Sequence, residues 1–105
     1  MSAVEEHVAR FNEGVRTGHW SPMLAHLSDD AEMEFVGIPV GPFHGRAAIA
    51  DAYRTQPPDD ELVVLEDRGD GTARYAWAKA PTQAVGDLRL TVMADRIVRL
   101  VVTFD

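Results

Sequence analysis

Cysteine is absent from this 105-residue chain, which excludes disulfides, thiolate nucleophiles and cysteine-based zinc sites. Lysine is nearly absent as well: Lys79 stands alone among ten basic residues, and 17 acidic ones bring the formal net charge to -7. An acidic chain with no basic run is a poor match for nucleic acid or an anionic membrane. No apolar run approaches the roughly 18 residues of a membrane span. The first residues, with Glu5 and Glu6, are acidic rather than leader-like, so the reading is a cytoplasmic protein. No serine sits in a nucleophile elbow and no glycine-rich phosphate loop follows a strand. His7, His19 and His26 are scattered over helical segments without metal-ligand spacing, so neither a metal nor a cofactor is expected.

What is present is 46% apolar residues in one short chain, read as a single domain over residues 1–105. Ser2 followed by Glu5 is a helix-capping pattern, Val4, Val8, Phe11 and Val15 share one helical face, and Gly18 ends the run. Ser21 and Pro22 then read as the N-cap and first residue of a short helix, with Trp20, Met23, Leu24 and Leu27 on its apolar side. Residues 31–36 alternate, with Ala31, Met33 and Phe35 on one face and Glu32 and Glu34 on the other, toward solvent or a partner subunit. A hinge of glycines and prolines follows, through Gly37, Pro39, Gly41, Pro42 and Gly45, and Arg46 opens a third helix that carries Ile49 and Tyr53. Residues 62–66, 73–79, 88–94 and 97–104 read as four strands. Their short connections, among them a turn at Asp95-Arg96, imply an antiparallel meander.

Helices first and strands afterwards make an α+β order. Together with Asp-Asp-Ala at 29–31, Phe-His-Gly-Arg at 43–46, Ala-Ile-Ala-Asp-Ala-Tyr at 48–53 and Asp-Arg-Ile-Val-Arg-Leu at 95–100, it resembles the nuclear transport factor 2-like (NTF2-like) superfamily. The ketosteroid isomerase and SnoaL-like polyketide cyclase branches are the most similar. That resemblance implies a cone: three N-terminal helices packed on a strongly curved, mainly antiparallel sheet, with an apolar pocket inside. It also implies dimers through the outer face of the sheet, and here Arg99, Val101 and Thr103 would supply that face of a homodimer. Position by position, the isomerase's oxyanion-hole tyrosine matches Phe11, its general-base aspartate matches Phe35, and its second aspartate matches Thr91. Its supporting tyrosine matches Tyr53. A phenyl ring neither removes a proton nor donates a hydrogen bond, so ketosteroid isomerase chemistry is excluded while the fold is kept.

If Phe35 and Thr91 face the cone as the resemblance implies, strand parity adds Met33, Asp87, Arg89 and Met93. The resemblance also favours Tyr75, Trp77, Leu100, Val102 and Phe104, and the helices add Phe11, Trp20 and Tyr53. Such a site suits a small, flat or cyclic apolar molecule. The candidate catalytic groups are Tyr53 as hydrogen-bond donor and His44 or Asp87 as base, with Tyr75 as a second donor. Each has a plainer role: Tyr53 as a helix anchor, His44 as a turn residue, and Asp87 with Arg89 as a surface ion pair. A single inward aspartate does not make the Asp-Arg-Asp set that limonene epoxide hydrolases of this superfamily use. Two readings remain open, a cofactor-free isomerase, cyclase or dehydratase acting on a hydrophobic carbonyl compound, and a non-catalytic dimeric binding or interaction module.

Overall fold

In the computed structural model, which describes residues 2–105, the first helix, α1 (Ala3–Thr17), begins and ends at its sequence signals. The Ser2 hydroxyl accepts from the Glu5 N–H at 3.0 Å. Gly18 closes the helix in the left-handed conformation (φ 73°), its N–H on the Gly14 carbonyl at 2.7 Å. Val4, Val8 and Phe11 are buried, and Val15 packs at the margin of the core. The second helix, α2 (Ser21–Leu24), starts one residue earlier than the capping pattern suggests, with Trp20 as N-cap and no side-chain cap. The Trp20 ring is buried between Phe11, at 5.7 Å, and Tyr53, at 4.7 Å, so packing rather than a serine hydroxyl sets this corner.

Leu27 does not belong to α2. It opens β1 (Leu27–Val36), and residues 28–30 ride in an irregular register before the regular ladder begins at Glu32. Those polar residues look like a turn in sequence because they break the alternation. The rest of the order is β2 (Phe43–His44), α3 (Arg46–Thr55), β3 (Leu62–Asp67), β4 (Thr72–Trp77), β5 (Ala84–Met93) and β6 (Arg96–Thr103). The sheet runs β2-β1-β6-β5-β4-β3. β3 to β6 form the expected antiparallel meander, while β1 joins parallel to β6 and carries β2 at its other edge. β2 lies in the stretch read as a loop, and the β5–β6 turn sits at Ala94-Asp95, one residue before the expected place. Both turn residues have left-handed φ values, 51° and 63°, as a two-residue hairpin of the mirror-image type requires.

α1 packs on β3, and α3 packs on β1. The inner face of the sheet is therefore covered by helices, and its strands reveal their phase by burial. In β5 the buried residues are Gly86, Leu88 and Leu90, whereas Arg89, Thr91 and Met93 are exposed. This inverts the parity assigned from the resemblance. The strand's own leucines carry the opposite phase, and burying apolar area outweighs any positional analogy, at about 25 cal/mol per Å² removed from water. Among the described residues no helix is long and apolar enough to cross a membrane.

Candidate functional site

Between α1, α3 and the inner face of the sheet the side chains leave a cavity of about 90 Å³. α1 supplies His7 and Phe11, α3 supplies Tyr53, and β1 supplies Phe35. Tyr75 and Trp77 of β4, Leu88 of β5, Leu100 and Val102 of β6, and Phe104 just beyond it form the sheet side. Pro58 and Leu62 complete the wall, and Pro58 and Trp77 also border a shallow surface depression with Asp59, Asp60, Lys79 and Ala80. Those two residues thus line both hollows.

The wall is held by aromatic packing and a few polar contacts. Tyr53 stacks on Trp20, meets Phe11 edge-on at 6.3 Å and donates its hydroxyl to the Met33 sulfur at 3.6 Å. Burial pushes its pKa well above the ordinary phenol value. Tyr75 lies edge-on to Trp77 (5.9 Å) and to Phe104 (6.3 Å), and its hydroxyl donates to the Thr103 carbonyl at 3.0 Å. Burial, with the nearby Asp105 carboxylate, raises that phenol to about 12. His7 is 2% exposed. Burial, aided by the Arg10 guanidinium, lowers its pKa from 6.5 to about 4. All three groups are therefore neutral at physiological pH, and the cavity contains no charge.

Several residues expected in this site lie elsewhere. Trp20 and Met33 are buried, but they stand behind Tyr53 and do not line the cavity. His44 faces solvent on β2, with its Nδ1 3.5 Å from a Glu32 carboxylate oxygen across the strand pair. Its neighbour Phe43 takes the inward side of the same two-residue strand, and side-chain alternation sends His44 the other way. Asp87 is on the outer face, 3.3 Å from Arg68 and 3.4 Å from Arg74, and it pairs with these rather than with Arg89. Arg89, Thr91 and Met93 share the outer side or the open end of β5. Tyr53, His44 and Asp87 are consequently not one constellation. His7, Pro58, Leu62 and Leu88 were the wall residues missing from the sequence reading. His7 could have been found by helical period, since it falls three residues after Val4 and four before Phe11.

Among the described residues no group of three or more histidines and carboxylates could hold a metal ion. A general base should titrate near the working pH, and the one imidazole on the cavity wall is held far below neutrality. What the arrangement offers is an uncharged, aromatic-walled space with a neutral imidazole on its side.

No family model matches the sequence, and no curated protein matches it. Solved structures do. An NTF2-like protein of unknown function from Cytophaga hutchinsonii superimposes with a TM-score of 0.69 at 14% identity, over 100% of this chain and 92% of that one. A second NTF2-like protein of unknown function, from Mesorhizobium loti, gives 0.67 at 20% identity over 96% and 89%. The chain has the NTF2-like fold. A provisionally named ketosteroid isomerase from Kribbella flavida is similar too, with a TM-score of 0.65 at 16% identity over 95% of this chain and 76% of that one. At such identities the likeness concerns architecture, and this NTF2-like chain's chemistry has to be read from its own residues.

Proposed function

We propose that the protein binds a small apolar molecule in the cavity behind Pro58 and Trp77, without catalysing a reaction on it. The observation that carries this reading is the wall itself: an aromatic and aliphatic surface whose polar groups, His7, Tyr53 and Tyr75, are all neutral. Isomerase, cyclase or dehydratase chemistry needs a base and oxyanion donors around one reacting carbon. Phe11 and Phe35 stand on the wall, while His44 and Asp87 are outside it. The volume limits the guest. A cavity of about 90 Å³ is smaller than the ~150 Å³ engineered cavity known to take benzene. A single ring therefore needs Trp77 to yield toward the adjoining depression.

The test is toluene binding, followed by the rise in melting temperature with toluene concentration and by calorimetry. Leu62→Trp, which fills the space, is expected to abolish the rise. Tyr53→Phe is expected to keep it and to change stability by less than about 1 kcal/mol, because a hydroxyl-to-thioether contact is a weak bond. No toluene-dependent rise in the wild type, or an undiminished one in Leu62→Trp, overturns the reading.

Self-association belongs to this proposal as well. The outer face of β4 to β6 forms a broad concavity bordered by Arg89, Thr91, Arg99, Val101 and Thr103. Among the described residues no carboxylate lies within ion-pair distance of Arg89. A second copy of this acidic chain could supply one. Sedimentation at micromolar concentration is expected to give a dimer that Arg89→Glu converts to monomer, and a monomeric wild type refutes the idea.

A further inference from the structure

Most of the cavity wall is fixed by its backbone. Phe11, Tyr53 and Tyr75 stand on helices or strands, and Phe104, just beyond β6, is tied by its N–H to the Val36 carbonyl at 2.8 Å. Leu62 is held twice by the Asn12 amide, its N–H donating at 2.7 Å and its carbonyl accepting at 3.0 Å. Pro58 is the exception: it belongs to neither helix nor strand. Pro57 and Pro58 have no N–H to give, and residues 57–59 make no hydrogen bond among the described residues. The strap between α3 and β3 is therefore anchored only at its ends. At one end the Gln56 N–H donates to the Ala52 carbonyl at 2.9 Å. At the other the Asp60 carboxylate accepts from two backbone N–H groups, of Glu61 at 2.9 Å and of Lys79 at 3.0 Å. Lys79 follows Trp77, the last residue of β4, by two positions, so Asp60 clips the strap to the strand that carries Trp77.

We propose that residues 57–60 are the part of the wall that moves to admit a ring, and that Asp60 is the latch that holds them in place. This rests on the binding reading above and adds how its site opens. A cavity of about 90 Å³ has to enlarge for a ring, and on the strap's outer side the surface depression offers about 470 Å³ of open room. Displacing a helix or an inner strand breaks a run of backbone hydrogen bonds, whereas displacing the strap breaks those that Asp60 accepts. Local opening follows the least-bonded path. The Trp77 backbone is paired with Leu62, so Trp77 yields by its ring, and Pro58, which borders the same two hollows, shares the movement. Asp60 is a positioning residue, and its effect has a sign. The latched form excludes the ring, so removing the latch raises affinity for it.

Asp60→Ala is expected to bind toluene about tenfold more tightly than the wild type, the size of a lost hydrogen bond to a charged acceptor. A merely structural role for Asp60 would lower affinity instead. The opposite variant locks the strap. The register of Leu62 with Trp77, continued by the Ala78 N–H on the Glu61 carbonyl, sets Asp60 opposite Lys79, a placement that a disulfide can span. The chain has no cysteine to compete with it. Asp60→Cys combined with Lys79→Cys, when oxidised, should bind toluene at least about tenfold more weakly than the same protein after reduction, as one charged hydrogen bond's worth of opening is denied. Both forms should take up xenon, a single atom that needs no ring-sized opening. Calorimetry reads the toluene affinities and xenon-129 shifts read the cavity. Equal toluene affinity in the oxidised and reduced forms overturns the moving strap, and an Asp60→Ala protein that binds no more tightly than the wild type overturns the latch; either leaves the apolar-binding reading intact. Failure of toluene to bind the wild type overturns both.

Discussion

Gly86→Ala is expected to destabilise the protein by about 3 kcal/mol or more, at the upper end of what overpacking costs. A Cβ at this position would lie 1.7 Å from the Thr103 carbonyl oxygen and 2.6 Å from its carbon. Backbone cannot rotate away as a side-chain tip can, and here it is tied from several directions. The Asp87 N–H donates to the Thr103 hydroxyl at 2.8 Å, the Asp105 N–H donates to the Val85 carbonyl at 2.8 Å, and the threatened Thr103 oxygen is itself the acceptor for the Tyr75 hydroxyl. The clash would therefore move Thr103, strip Tyr75 of its partner and shift Phe104, so stability and the cavity wall should fail together. Urea unfolding should show the lower midpoint, and Gly69→Ala serves as the contrast. Gly69 has a left-handed φ of 79° but nothing within 4 Å of the added carbon, so its cost is limited to about 1–2 kcal/mol of backbone strain. A Gly86→Ala protein as stable as the wild type would refute this account of the β5–β6 crossing.

The second large effect concerns His7 and pH. Its folded-state pKa of about 4 lies below the unfolded value of 6.5. Between those two values the unfolded chain binds more protons than the folded one, and stability rises with pH across that window, by about 3 kcal/mol in all. Arg10, on the same helix, adds to the lowering, and Tyr53 and Tyr75 across the cavity stay protonated throughout. Asp67, Asp70 and Asp105 have lowered pKa values and lose their stabilising effect only as pH falls below about 3.8. His26 shifts in the same direction as His7, but it is retained in a His7 variant. Unfolding free energies measured from pH 4 to 7 should therefore climb steeply in the wild type and much less in His7→Leu. Parallel curves for the two proteins would show that His7 is not desolvated as the packing requires.

Much of the architecture was legible in the chain because it depends on local signals. The Ser2 cap and the Gly18 stop delimit α1, the glycine turn at Gly69 and Gly71 separates β3 from β4, and alternating apolar residues mark the strands. The resemblance of the 43–46, 48–53 and 95–100 segments was enough to place the chain on an NTF2-like fold, and the solved structures agree. Phe11, Tyr53, Tyr75, Trp77 and Leu100 were expected around an interior space from the same resemblance, and each lines the cavity.

The site was less legible because a side chain's face and partner are set by contacts distant in sequence. Nothing local distinguishes His44 facing solvent from His44 facing a cavity until β2 pairs with β1 and Phe43 takes the inner side. Asp87 looked like a partner for Arg89, two residues away, yet its cations come from Arg68 and Arg74 on neighbouring chain segments. The phase of β5 was misjudged by analogy, although Leu88 and Leu90 carried the correct alternation. Chain order and composition thus specified an acidic, cysteine-free α+β unit with an aromatic interior, because capping, turn chemistry and hydrophobic period act over a few residues. Which of its polar groups met that interior, His7 and the two tyrosines rather than His44 and Asp87, was settled when α1, α3 and the sheet closed on one another, because burial is a property of the assembled layers and not of any segment.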